Sequence, residues 1–407
     1  MSDRVRAGRD RLLTPRFLLV VLAGICYFMG FGVLVPTVPK YAHEVLGAGS
    51  VGVGIAVGSL AIGAIMLRPI AGRIGDHFGR RVLLIGGALM VGMMTACSGI
   101  IESLPWLSAT RVLLGLGEAA FFVGITTMIT DLAPVTRRGE AVSYLSVATW
   151  GGLSLGPLLG QLVLDGSHYQ RVWSTAAGLA VAAALVGFMT LETHVRTAMP
   201  FRGRLVHPAA IRPGILMMLS VLGLMGFQTF VVLYAPTVGV HEVAPIFLVH
   251  GLTVVSVRVL FARLPDQLGP RRAGSIAMFG LALGLAIVAA WQSPTGIFVG
   301  VFCIALGGSF LYPALMVLAL SGIPDDERGS VVGTFSAFFD LTAGCAGLVL
   351  GAIVAFSSYA TAFAVSSGLA LTALVLLRTG FGREHERLTG SPSGEPVGRD
   401  AAPAAGV

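Results

Sequence analysis

Long apolar runs, bounded by arginine, glycine or proline, recur along the whole chain. A helix that crosses the hydrocarbon core of a bilayer needs ~20 mainly apolar residues. Twelve runs meet that need, near 17–39, 52–72, 82–101, 106–130, 141–164, 173–191, 214–236, 243–262, 273–291, 295–319, 330–355 and 359–377. The seventh and eighth are the most interrupted, by Pro236, Gly239, His241, Glu242 and Pro245. The first follows a basic stretch, as a signal peptide does. It is too long for one, and it ends in Val35-Pro36-Thr37-Val38-Pro39-Lys40 instead of a small-residue cleavage site, so it reads as a mature span. The pattern predicts an all-α integral membrane protein of twelve transmembrane helices. Residues 1–16 form a basic N-terminus, 17–191 the first six spans, 192–213 a linker, 214–378 the second six spans, and 379–407 a polar tail expected to be disordered.

Composition agrees with the pattern. Hydrophobic types make up 55% of the 407 residues and charged types 12%, about half the ~25% of soluble domains. So few charges cannot cover a water-exposed surface, so much of the apolar surface must face lipid. The 55 glycines follow no Gly-X-Y period and suit helices packed backbone to backbone. Cys26, Cys97, Cys303 and Cys345 all lie inside apolar runs and read as small buried hydrophobes.

A net charge of +7 in a soluble chain would suggest nucleic acid. Here it follows topology. With the N-terminus inside, 23 of the 27 basic residues fall on inner segments, two (Lys40 and Arg171) on outer loops, and two (Arg111 and Arg258) within spans. Basic residues mark the cytoplasmic side, so both termini are placed in the cytoplasm of a cell-membrane protein, with no nucleic-acid partner.

The chain also repeats itself. A shift of 190 residues lays Arg68 on Arg258, Arg73 on Arg263, Asp76 on Asp266, Gly79 on Gly269, Arg81 on Arg271, Pro134 on Pro324, Arg138 on Arg328 and Gly139 on Gly329. Arginine-rich loops alone do not explain the Asp and Pro matches. The halves read as duplicates of six spans in the same orientation, a pattern expected of transporters.

Between spans 2 and 3 stands Gly72-Arg73-Ile74-Gly75-Asp76-His77-Phe78-Gly79-Arg80-Arg81. It resembles the G-x-x-x-D-x-x-G-R-R loop signature of the major facilitator superfamily, with His77 where the family carries a basic residue. The second copy, Arg263 to Arg272, is looser. The resemblance covers about residues 15–378. It implies two six-helix bundles around a central cavity, rocking between inward- and outward-open states. Gly79 permits the turn, and Asp76 can pair with an arginine or a helix N-terminus, so the loop reads as a conformational latch. Its members are Gly72, Asp76, Gly79, Arg80 and Arg81, with Asp131, Arg138 and Asp266. Arg68 and Arg258 read as snorkelling side chains or as latch partners.

Three spans carry further candidates. Span 4 holds Arg111 and Glu118, seven residues and ~10 Å apart on one helix face, and resembles the superfamily's span-4 arginine motif. A charge at the bilayer centre costs ~2.5–3.5 kcal/mol, so both are read as facing the cavity. The alternatives are snorkelling for Arg111 and a structural hydrogen bond for Glu118. Span 5 carries Gly152, Gly156, Pro157 and Gly160, similar to the antiporter motif of drug/proton exporters, with Gln161 replacing a final glycine. A bent helix with a flat glycine face suits a rocking interface, or ordinary close packing. Span 11 holds Asp340, ~18 Å along the helix from Arg328, a second intramembrane acid or a partner of a nearby hydroxyl. Tyr27, Phe31, Gln228, His250, Phe310 and Tyr312 are candidate cavity residues.

No P-loop, zinc spacing or nucleophile motif is present, so neither an enzyme nor a cofactor or metal is expected. The first reading is a monomeric, proton-coupled exporter of a small amphipathic drug or metabolite, driven by the ion gradient across the lipid bilayer. Glu118 is read as the proton carrier and Asp340 as the residue that binds a cationic or hydrogen-bonding substrate. The alternative is a proton symporter importing a small nutrient.

Overall fold

Proline and hydroxyl residues set where the helices begin. In the computed structural model, which describes residues 12–134, 137–164, 168–193, 206–261, 267–324 and 327–379, Thr14 accepts a hydrogen bond from the Phe17 amide (3.2 Å) and Pro15 opens the first helix. Ser293 does the same for the Gly296 amide ahead of Pro294. A hydroxyl acceptor before a first-turn proline is a strong start signal, because the orphan amides need acceptors and proline has no amide to orphan.

Twelve α-helices lie among the described residues: α1 (Pro15–Glu44), α2 (Ser50–Phe78), α3 (Arg80–Ser98), α4 (Leu104–Leu132), α5 (Arg138–Leu164), α6 (Tyr169–Met189), α7 (Pro208–Tyr234), α8 (Ala244–Leu260), α9 (Pro270–Ala290), α10 (Pro294–Leu320), α11 (Arg328–Phe356) and α12 (Tyr359–Thr379). Each coincides with one of the twelve apolar runs. Eleven are long and apolar enough to cross a membrane, and α8 is a shorter apolar helix of 17 residues. The interruption between the seventh and eighth runs is a 3-10 turn, Ala235–Val238, closed by Gly239 at φ 88°. The seventh helix starts at Pro208, inside the stretch read from sequence as linker. Polar side chains within the spans stay satisfied locally: Thr37, Ser220, Ser309 and Thr342 each donate to the carbonyl four residues back.

The helices form two sets of six with the same internal packing. In the first set α1 packs on α5 and α6, α2 on α4, and α3 on α4 and α6; in the second α7 packs on α11 and α12, α8 on α10, and α9 on α10 and α12. Adding six to each helix number converts one pattern into the other, so the 190-residue repeat is a repeat of structure. Gly79 (φ 104°, ψ 148°) and its counterpart Gly269 (φ 75°, ψ 157°) make the same sharp turn, in a region that disfavours other residues. The sets meet along α2–α11 and α5–α8, and α1 touches α7. On the outer faces, Leu18, Leu22 and Ile25 of α1 and Ile276, Phe279 and Leu283 of α9 stand exposed at helical spacing, as a lipid-facing surface requires.

Small residues line both seams between the sets. Gly54 and Gly58 of α2 lie against the backbone of Gly347 and Gly344 of α11. In the other seam Ser154 of α5 touches Gly251 of α8, and the Ala244 amide donates to Gln161 Oε1 (2.9 Å).

Candidate functional site

The deepest charge cluster is assembled by Arg68, from the second helix of the first set. Arg68 lies eighteen residues into α2, about 27 Å along its axis. Its Nη2 reaches both carboxylate oxygens of Glu118 on α4 (3.4 and 3.3 Å), and its Nε lies 3.0 Å from Asp340 Oδ2 on α11. Glu118 belongs to the same set of six helices as Arg68, and Asp340 to the other. The Arg68–Asp340 contact is a close ion pair, but the N–H does not aim along the oxygen, so it is not also a hydrogen bond. The guanidinium lies over the Phe122 ring, 5.2 Å from its centroid. Tyr312, whose hydroxyl bonds Ser336 (3.2 Å), packs beside the cluster against Phe339 and within electrostatic reach of Arg68 and Asp340.

This arrangement changes several expectations. The charge partner of Glu118 is Arg68, on a different helix. Arg68 is no snorkelling side chain, because both its partners lie deep in spans. Arg111 is 6% exposed, and its Nε and Nη1 have no hydrogen-bond partner among the described residues. Tyr27 is likewise buried (1% exposed), its ring stacked on Phe121 at 3.6 Å, within electrostatic reach of Glu118, Arg68 and Arg111. Gln228 sits half-buried on α7.

The glycine face of α5 packs inside its own bundle and not in the seam between the bundles. A Cβ added at Gly152 would lie 2.7 Å from the Met29 amide nitrogen, and one at Gly156 would lie 2.6 Å from Gly32 Cα; both targets belong to α1. Gly160 faces Val33 of the same helix, and Pro157 lies within α5. The opposite face of α5 is the one that meets α8.

The latch residues tie helix ends within the first bundle. Arg80 pairs with Asp131 at the end of α4, and Thr193 also donates to Asp131 (3.1 Å). The first two amides of α3, Arg80 and Arg81, donate to the Glu192 carboxylate (3.0 and 3.1 Å), and the Arg81 side chain donates to the carbonyls of Gly187 and Phe188 (3.4 and 2.5 Å). Sequence reasoning misses Glu192; its only signal is an acid at the end of the sixth span, opposite a helix N-terminus that favours negative charge. Gly72 faces open space, and Arg138 is exposed at the start of α5. Asp266 lies outside the described residues, and of Asp76 only the backbone is described. Among the described residues no group of three His, Cys, Asp or Glu side chains could hold a metal ion.

Comparison with known proteins places these features. The sequence profile of the Major Facilitator Superfamily matches residues 20–257 and again 214–405. The chain is 24% identical over 372 residues to the "Uncharacterized MFS-type transporter YhhS" of Escherichia coli (strain K12), covering 89% of this chain and 92% of that protein. It is 28% identical over 363 residues to the "Uncharacterized MFS-type transporter STM4428" of Salmonella typhimurium, covering 84% and 91%. Among solved structures it resembles a point mutant of the peptide transporter POT in complex with alafosfalin (TM-score 0.78, 13% identity, 95% of this chain and 99% of that one). It also resembles the inward-open xylose transporter XylE from E. coli (TM-score 0.73, 16% identity, 91% and 98%).

Proposed function

Because the chain belongs to the Major Facilitator Superfamily, we propose that it is a proton-coupled secondary transporter that exports a small amphipathic drug or metabolite by alternating access. The observation that carries this reading is the position of Arg68 between Glu118 of its own bundle and Asp340 of the other. Two carboxylates on one guanidinium leave a single negative charge when both are ionised, and one proton cancels it. A proton on Asp340 removes the attraction across the bundles, while Glu118 still neutralises Arg68. The bundles are then free to part at mid-membrane without stranding a bare charge, which would be costly there. The bridging position of Asp340 therefore supports Asp340 as the proton carrier, in place of Glu118.

Export rests on the likeness of the α5 motif to that of drug/proton exporters, and placement in the cell membrane with both termini inside rests on the 23-to-2 split of basic residues. Both seams form within one chain, which supports a working monomer.

The test is transport in proteoliposomes under an imposed pH gradient, with a panel of aromatic acids, amides and amines and a pH-sensitive dye reporting protons. Substrate and protons should move in opposite directions. Asp340→Asn should lose gradient-driven accumulation and keep substrate-for-substrate exchange. Wild-type accumulation by this variant would refute the carrier assignment, and movement of both in one direction would establish symport.

A further inference from the structure

The two seams between the bundles are copies of one another, and they differ in charge. The 190-residue shift lays Arg68 on Arg258, Glu118 on Gly308 and Asp340 on Trp150. In the α2–α11 seam the arginine has both carboxylates. In the α5–α8 seam the arginine is kept and both acids are gone. The Arg258 guanidinium lies over the Trp150 ring, 5.4 Å from its centroid, and its buried Nε has no hydrogen-bond partner among the described residues. His250, eight residues away on α8, packs its ring 6.0 Å from that of Trp150; it is 7% exposed, and its Nε2 is also without a partner among the described residues.

A half-buried guanidinium whose Nε is closed off from water without a partner favours an anion, and a contact with an aromatic face is worth only about 0.5–2 kcal/mol. Among the described residues neither Arg111 nor Arg258, the latter in the last turn of α8, has a carboxylate partner, and both Glu118 and Asp340 are taken by Arg68. Among the described residues a cationic substrate would find no free carboxylate beside these arginines. We propose that the substrate is a small organic anion with a flat apolar body, whose acid group docks on Arg258 and the free His250 nitrogen while its body packs against Trp150. This names the substrate class of the transporter inferred above and rests on that reading. It replaces the expectation that Asp340 binds a cationic or hydrogen-bonding substrate.

The test is binding to the full-length protein in nanodiscs at one fixed pH, without a gradient, by calorimetry and thermal shift. The probes are benzoate, 2-naphthoate and indole-3-acetate, each beside its amide and its amine. The acids should bind about tenfold or more tightly than their partners, the range expected for a hydrogen bond to a charged group. Arg258→Gln should erase that preference, Arg258→Lys should restore part of it, and Arg378→Gln, at the exposed end of α12, should leave it intact. The proposal is overturned if the amines bind as well as the acids, if no acid in the panel binds, or if Arg258→Gln changes nothing. Because no proton moves in this measurement, loss of proton coupling would leave the result standing. Intact coupling without acid preference would overturn this inference alone.

Discussion

A largely buried guanidinium needs charge partners inside the protein, and Arg68 has two that come from different bundles. Removing it would leave Glu118 and Asp340 buried side by side with no cation. Breaking a buried pair from one side costs on the order of 3 kcal/mol, mostly as the penalty of the charge left behind. Arg68→Gln should therefore lower the unfolding temperature markedly. Adding Asp340→Asn should recover much of that loss, because the second change removes one of the stranded charges. Thermal unfolding of both single variants and the double variant measures this coupling directly; additive effects would mean that the three side chains do not act together. The sequence marked Glu118 and Asp340 by depth alone, since acids inside apolar runs are rare. It could not pair them, because the partner is 50 residues from one acid and 272 from the other, and an arginine near a span end is equally consistent with snorkelling. Glu192 was hidden for the same reason: it caps a helix that begins 112 residues earlier.

At the scale of the helices, most of the structure was legible. Apolar length located all twelve helices, because a span must satisfy its own backbone and so declares itself in one continuous run. What periodicity could not assign was which face of a small-residue helix meets which neighbour. The α5 motif reads equally well as a moving interface or a fixed one, and its glycines lie against α1 of the same bundle. The glycines that do line a seam between bundles, Gly54 and Gly58 with Gly344 and Gly347, carry no family signature; their only signal is spacing of three and four residues. Gly156→Leu should accordingly act on assembly. A leucine there must displace the Gly32 backbone, and overpacking a fitted contact costs about 1–3 kcal/mol or more. The expected outcome is a lower yield of folded protein and a lower unfolding temperature. A fully stable Gly156→Leu protein that has lost only transport would show instead that this face moves during the cycle.

For the whole molecule, the charge of the substrate fixes how the membrane potential acts. Each elementary charge crossing 100 mV carries about 2.3 kcal/mol. An organic anion leaving in one-for-one exchange for an entering proton moves two positive charges inward per cycle, so an inside-negative potential drives both halves of the exchange. An anion entering together with one proton moves no net charge. The pseudo-twofold design permits either scheme, since the proposed proton site lies in the α2–α11 seam and the proposed anion site in its copy, with no side chain shared between them. Proteoliposomes clamped by valinomycin and a potassium gradient, without a pH gradient, separate the two schemes. If the protein exports anions against protons, a potential of about 60 mV supplies about 2.8 kcal/mol per cycle, enough for a concentration ratio of roughly 100-fold at equilibrium. The accumulated ratio should therefore rise steeply with the imposed potential and reverse with its sign. A ratio that ignores the potential while still following the pH gradient would make the cycle electroneutral, and would turn the same two seams into an importer.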